Sequence, residues 1–240
     1  RDLHVWSRRQ RQMCIRDRNG GSLMNTIKLI LFDLDGTLVN TLEDLAVSTN
    51  VALREHGYPQ HPIEAYKYFV GNGVYKLIER ALPSEARTEE EINKIKESFI
   101  AYYDAHLTDY TKPYEGMLET IEKLKISGIQ LAVVTNKPHA QALRVVRACF
   151  KPDTFIEVWG QREGIPHKPD PTVVCQIMTK YEMVSDEVLY IGDSDVDMQT
   201  AQNAQVKGLG ASWGFRTEEE LLENGAWVVL QRNEEILKYT

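Results

Sequence analysis

Beyond Pro113 the chain alternates between two periodicities, and this limits its possible folds more than any other feature of the sequence. Met117–Ser127 carries apolar residues at helical spacing and is closed by Gly128, and Ile129–Thr135 is a strand-sized apolar run. The alternation continues with a helix over Gln141–Phe150, a strand over Phe155–Trp159, a helix over Pro171–Tyr181 and a strand over Val188–Gly192. It ends with a helix over Met198–Asn203, a strand over Val206–Gly210, a helix over Thr217–Glu223 and a strand over Trp227–Leu230. Apolar strands joined by helices imply a mainly parallel sheet covered on both faces. One more such run, Ile27–Asp33, lies upstream and leads into Gly36. From about Thr41 to Lys112 the text is almost wholly helical. Leu42, Leu45, Ala46, Thr49 and Leu53 share a helical face, and Ile78, Ala81 and Leu82 mark a second helix. Thr88 with Glu91 predicts a capping box that opens a third helix over Thr88–His106. The expected fold class is α/β: a doubly wound, mainly parallel, Rossmann-like core formed by 24–40 and 113–240, with a helical cap inserted at 41–112.

Composition narrows the classes further. The 240 residues are 42% apolar and 26% charged, as in ordinary globular chains, which excludes a collagen, a disulfide-stapled miniprotein and a disordered chain. Lys and Arg number 28 against 35 Asp and Glu, a net charge of −7, and this acidic balance argues against a nucleic-acid-binding body. No apolar run approaches the roughly 18 residues needed to span a bilayer, so no membrane partner is expected. Cys14, Cys149 and Cys175 match no zinc or redox spacing and read as unpaired thiols in a reducing cytosol, so a cytoplasmic location is expected. Residues 1–23 stand apart, with six Arg against two Asp, no regular period and an Asn19-Gly20-Gly21 linker signal. Arg8-Arg9 is followed by no apolar segment of the kind an export signal needs. We read 1–23 as a non-native or disordered extension, with the coherent protein starting at Met24.

Four segments fall just past the ends of expected strands, where open α/β sheets build their sites. They are Asp33-Leu34-Asp35-Gly36-Thr37-Leu38, Val134-Thr135-Asn136-Lys137, Lys168-Pro169-Asp170-Pro171 and Gly192-Asp193-Ser194-Asp195-Val196-Asp197. Two carboxylates two residues apart, further carboxylates at 193 and 197, a lysine and a hydroxyl form an inventory suited to phosphoryl transfer. Few, hard oxygen ligands suit Mg²⁺. Lys137 and Asp170 read as surface residues beside these motifs, and Asp195 as a cap or solvated residue. His139 and His167 read as local hydrogen-bonding residues.

In this order and context, the four motifs resemble those of haloacid-dehalogenase-superfamily phosphatases, over about residue 26 to the C-terminus. The resemblance implies Asp33 as the nucleophile that becomes an aspartyl-phosphate and Asp35 as the acid/base. Thr135, with Asn136, would bind phosphate, and Lys168 would offset charge on the nucleophile and the transferring group. Asp193 would bind Mg²⁺ together with a side-chain oxygen of Asp33 and the backbone carbonyl of Asp35. Asp197 would orient metal-bound water or Lys168.

The cap position between the first two motifs resembles the subclass with a helical cap there, which closes over the site and selects the leaving group. Val70-Gly71-Asn72-Gly73-Val74, followed by Leu77–Leu82, is similar to the cap loop of phosphoglycolate phosphatases, and Trp213-Gly214-Phe215-Arg216 also resembles that group. Gly71, Asn72 and Gly73 are thereby expected at the substrate, with Arg80 a charge partner or part of a helix face. Asn40-Thr41 stands where relatives often show Asp-Ser, and 160–164 lacks an acidic pair that some relatives carry. The leading expectation is an Mg²⁺-dependent phosphatase acting on a small phosphorylated metabolite, foremost 2-phosphoglycolate. A β-phosphoglucomutase-like phosphomutase, a pyrophosphatase and a non-catalytic binding protein on the same fold are the alternatives, and the sequence is silent on oligomeric state.

Overall fold

The computed structural model describes residues 26–240, so the extension expected at 1–23 and Cys14 lie outside the described residues. At its centre is strand β1, Leu29–Phe32, whose four side chains are all fully buried. Complete burial of side chains of this size contributes roughly 1.5–3 kcal/mol each. Beside β1 lie β4 (Gln130–Pro138) and β6 (Val188–Gly192), both parallel to it, with Phe32 level with Val133 on one side and Ile191 on the other. β5 (Glu157–Gln161) extends the sheet beyond β4, and β7 (Lys207–Ala211) and β8 (Val228–Leu230) extend it beyond β6. All these neighbours are parallel, in the order β5-β4-β1-β6-β7-β8. The chain therefore leaves β1 toward one edge and later returns to fill its other side. That reversal opens a crevice at the carboxyl ends of the central strands.

Alternation along the strands divides the core in two. Ile30, Phe32, Val133 and Ile191 face one layer, which continues into the cap helices. Leu29, Leu31, Val134 and Tyr190 face the other, against Val174 and Ile177 of a helix at Thr172–Lys180. The latter is α7. The remaining core helices are α5 (Met117–Ile126), α6 (His139–Cys149), α8 (Asp195–Asn203) and α9 (Glu218–Glu223).

The inserted segment holds α1 (Leu42–Glu55), α2 (Tyr66–Phe69), α3 (Gly73–Ala81) and α4 (Glu89–Ala105). Leu45, Leu53, Ile78, Ile95 and Phe99 make its apolar interior. Thr88 accepts the Glu91 N–H at 3.3 Å, as the expected capping box requires. The reciprocal bond is not made, because the Thr88 N–H donates to Ala86 O at 2.8 Å in the preceding 3-10 turn.

Two short strands escaped the sequence reading, as did a 3-10 helix over Asn233–Tyr239. Val39–Asn40 (β2) and Lys112–Pro113 (β3) pair antiparallel where the chain enters and leaves the cap. Beside this ribbon the buried Asp44 carboxylate accepts the backbone N–H groups of Tyr110 (3.1 Å) and Thr111 (2.8 Å) and the Thr111 hydroxyl (2.6 Å). The two crossings are thus clamped together.

Some boundaries also differ. β4 runs to Pro138 instead of ending at Thr135, because the strand shifts register after Val134 and rejoins β5 with Pro138 opposite Gln161. β5 begins at Glu157, two residues late, because Phe155 turns edge-on to Phe150 at 5.2 Å. α8 starts at Asp195 instead of Met198, because Ser194 and Asp197 form a capping box.

Candidate active site

Asp33 directly follows β1, and its N–H continues the ladder to Ile191 O at 2.9 Å. The chain then turns through Gly36 at φ 86° and closes with Gly36 N–H on Val39 O at 2.9 Å. Only glycine fits here, since a Cβ on Gly36 would lie 2.2 Å from Asp193 Oδ2. Asp193 directly follows β6. Its Oδ1 accepts the Thr37 hydroxyl at 3.0 Å and its Oδ2 the Phe215 N–H at 2.8 Å. Gly214 is equally constrained, its Cβ position lying 2.2 Å from Asp193 Cβ.

Lys168 enters from the loop before α7. Its Nζ lies 2.6 Å from Asp197 Oδ1, 2.9 Å from Asp33 Oδ1 and 3.2 Å from the Tyr190 hydroxyl. The other Asp197 oxygen accepts Ser194 N–H (3.1 Å) and the Ser194 hydroxyl (2.6 Å). Both Asp197 oxygens are therefore committed, one to its helix and one to Lys168. Asn136 and Lys168 hold each other through backbone groups: Asn136 Oδ1 accepts the Lys168 N–H at 2.9 Å, and Asn136 Nδ2 donates to Lys168 O at 3.3 Å. Thr135 is buried beside them and accepts the Lys137 N–H at 3.2 Å.

Among the described residues, Asp33, Asp193 and Asp197 each bring an oxygen within 4.8 Å of the others. Burial pushes the Asp33 carboxyl up to about 7, against the opposing pull of Lys168. Burial also holds Asp193 well above the usual carboxylate range, with the charges of Asp197 and Asp33 adding to the effect. Burial works against the Lys168 charge, but Asp197 and Asp33 overcome it and raise its proton affinity. Three buried carboxylates gather where only two, Asp33 and Asp197, meet the Lys168 ammonium, and the Asp33 Oδ1 that Lys168 approaches has no hydrogen bond of good geometry. A small hard cation fits such a donor set and would offset the excess negative charge.

Toward the cap the arrangement differs from the sequence reading. Lys137, expected at the surface, is buried, because β4 continues through it and turns its side chain beneath the cap. Its Nζ donates to both Asp35 oxygens, at 3.0 and 3.2 Å, and to the Tyr103 hydroxyl of α4 at 2.7 Å. Burial opposes the Lys137 charge, but Asp35 and Tyr103 more than compensate and raise its proton affinity. Burial pushes the Tyr103 hydroxyl up to about 12. The cleft between core and cap is lined by Asp33, Asp35, Thr135, Asn136 and Lys137 below. Above lie Gly71, Gly73 and apolar side chains of the cap.

Asn72 does not join this lining. Its Oδ1 accepts Arg80 Nη2 at 2.8 Å, and Arg80 also donates to Phe69 O at 3.1 Å, so the pair braces the cap loop. Arg216 reaches from the core to Val70 O at 2.9 Å and also bonds Lys67 O. Tyr190, Tyr103 and Lys137 are the neighbours that sequence reasoning missed. A buried tyrosine in a strand looks like core, and Lys137 has no pattern separating it from a flanking charge. Asp170 is exposed, His139 accepts the Gly160 N–H at 3.3 Å, and His167 lies beside Gly73.

The profile of the haloacid dehalogenase-like hydrolases matches residues 30–211. A phosphoglycolate phosphatase of Mannheimia succiniciproducens is 38% identical over 194 residues, covering 78% of this chain and 87% of that protein. One from Haemophilus influenzae strain 86-028NP is 38% identical over 213 residues, 85% of this chain and 95% of that protein. The crystal structure of a predicted phosphoglycolate phosphatase from Haemophilus somnus has a TM-score of 0.82 at 32% identity, covering 91% of this chain and 99% of that one.

Proposed function

This chain belongs to the haloacid dehalogenase-like hydrolase family and is a phosphatase, and from that premise we propose that it hydrolyses 2-phosphoglycolate to glycolate and phosphate. The observation that carries the reading is the buried cluster of Asp33, Asp193 and Asp197 around Lys168, open on the Asp35 side to a cleft under the cap. The substrate choice is supported by the names of the relatives matching over most of the chain.

In this reading Asp33 attacks phosphorus and becomes an aspartyl-phosphate. Asp35 gives a proton to the departing glycolate oxygen and then takes one from the attacking water. Lys168 balances charge on Asp33 and on the phosphoryl oxygens, held in place by Asp197 and by Asn136. The Thr135 hydroxyl donates to the phosphoryl oxygens, and Asn136 beside it braces the Lys168 and Gly71 backbones around them. Asp33 and Asp193, with the Asp35 carbonyl, would hold Mg²⁺, which supplies charge neutralisation at the phosphoryl group. The cap excludes water from the cleft. Gly71 and Gly73 let the cap backbone come close to the substrate, while Asn72 shapes their loop through Arg80. The two domains, core and inserted cap, are those of 24–40 with 113–240 and of 41–112. A cytoplasmic location belongs to the same reading and is supported by the free thiols of Cys149 and Cys175.

The test is inorganic phosphate release from 2-phosphoglycolate at graded Mg²⁺, with Asp33→Asn as the blank. The expected result is Mg²⁺-dependent release that the substitution removes. Turnover of pyrophosphate or a hexose phosphate, but not of 2-phosphoglycolate, would overturn the substrate.

A further inference from the structure

The cleft has two ends, and the chemistry assigned above occupies only one. At the phosphoryl end Lys168 is held between Asp33 and Asp197 and is not available to the leaving alcohol. At the cap end, Lys137 is the only cation among the described residues that line the cleft. Its side chain is 3% exposed, and nothing at the surface calls for its charge. The neighbouring wall is apolar, with Leu45, Val70, Val74 and Leu77 from the cap. Placing an ammonium in such a pocket is costly unless an anion shares it.

Asp35 is one such anion and fixes the position of the ammonium. The Tyr103 hydroxyl is the second observation. It accepts from Lys137 at 2.7 Å, so its own proton is free to be donated, and no acceptor for that proton lies within bonding distance among the described residues. The three Lys137 N–H groups are taken by Asp35 and Tyr103, so an anion under the cap would meet the Lys137 charge and receive its hydrogen bond from the Tyr103 hydroxyl beside it. Their spacing from the chemistry is short. Lys137 Nζ is 3.0 Å from Asp35 Oδ1, so an anion in ion-pair contact with the ammonium lies within about 7 Å of that carboxyl group. The leaving oxygen, which Asp35 must reach, then lies only a carbon or two from the anion.

Building on the function proposed above, we propose that Lys137 and Tyr103 form the leaving-group subsite, selecting phosphomonoesters whose alcohol carries a carboxylate on the carbon bearing the ester oxygen. Lys137 and Tyr103 determine specificity. Phosphoryl transfer itself stays with Asp33, Asp35 and Lys168.

The experiment compares kcat/KM for 2-phosphoglycolate and for ethyl phosphate, which keeps two carbons and lacks the carboxylate. It is run on the full chain with Mg²⁺, for wild type, Lys137→Met and Tyr103→Phe. Wild type prefers 2-phosphoglycolate. Lys137→Met lowers that preference by about 10- to 100-fold, the loss of one close opposite charge. Tyr103→Phe keeps the ring stacked on Phe99 and lowers the preference several-fold, which tests the subsite even if Lys137→Met does not fold. A parallel loss on both esters, or a preference untouched in Tyr103→Phe, would overturn the proposal. A wild type active on ethyl phosphate with no gain from the carboxylate would also overturn it while leaving the phosphatase intact. Absence of Asp33-dependent release from either ester would instead bring down the function on which it rests.

Discussion

Asp193 shows how closely the side chains of this site are fitted. Both of its oxygens accept hydrogen bonds from fixed donors, and the Cβ positions of Gly36 and Gly214 fall within 2.2 Å of its atoms. Neither glycine can gain a methyl group unless the carboxylate moves. A displacement of about 1 Å in a catalytic constellation can cost on the order of 100-fold in rate. Gly214→Ala is therefore expected to lower kcat for phosphate release by about that factor, measured beside a thermal melt that shows the chain still folded. Asp197 is a different case. Its loss would leave Lys168 without its closest buried partner, and breaking such a pair costs about 3–5 kcal/mol. Urea denaturation of Asp197→Ala should show a loss of that size, and an unchanged midpoint would refute the account of Lys168. At this scale the sequence is legible where a residue type and its spacing leave few uses. Asp33, Asp35, Lys168 and Asp193 stand where the motifs put them. Lys137 could not be read this way. Its burial depends on how far β4 continues and on Tyr103, 34 residues away in another element.

Between cap and core, the smallest elements set the geometry. β2 and β3 hold two residues each, too short to show any alternation, so their pairing is invisible in the text. They matter because the chain crosses between the layers only there among the described residues. Asp44 fastens the crossings with bonds to Tyr110 and Thr111. Leaving those donors unpaired should cost about 2–4 kcal/mol in Asp44→Ala, read from its urea midpoint. A second contact ties the layers at the cleft mouth, where Arg216 bonds the carbonyls of Lys67 and Val70. Amide hydrogen exchange over 66–73 should speed up in Arg216→Ala while exchange in β1 and β6 stays slow. Equal acceleration in both regions would mean that the contact supports the whole fold and not the cap loop. The long helices, by contrast, were legible from their apolar spacing, and α4 from its Thr88 cap. The errors fall at ends decided by partners elsewhere, as with Phe155 packing on Phe150.

Across the whole molecule, the parallel sheet does the gathering. Because β1, β4 and β6 run the same way in register, residues 33, 135 and 193 emerge at one edge although 160 positions separate the first from the last. That convergence followed from the strand-helix alternation alone. The helical block after β1 could likewise be placed as an insertion. What the sequence could not give was the meeting of cap and core side chains, since no local period reports which cap residue faces which strand end. The cap brings Tyr103 to Lys137 and Gly71 to Asn136, so the leaving-group end of the cleft exists only in the assembled fold. The phosphoryl end belongs to the sheet itself, and its chemistry stands or falls with Asp33. The most direct measurement is to trap the enzyme during turnover of 2-phosphoglycolate. The unaltered enzyme is quenched during steady turnover, and borohydride then reduces any acyl phosphate before peptide mass spectrometry. The account predicts homoserine at position 33, formed only when substrate and Mg²⁺ are both present. Phosphate release at an undiminished rate from Asp33→Asn, or a reduced adduct at any other residue, would contradict it.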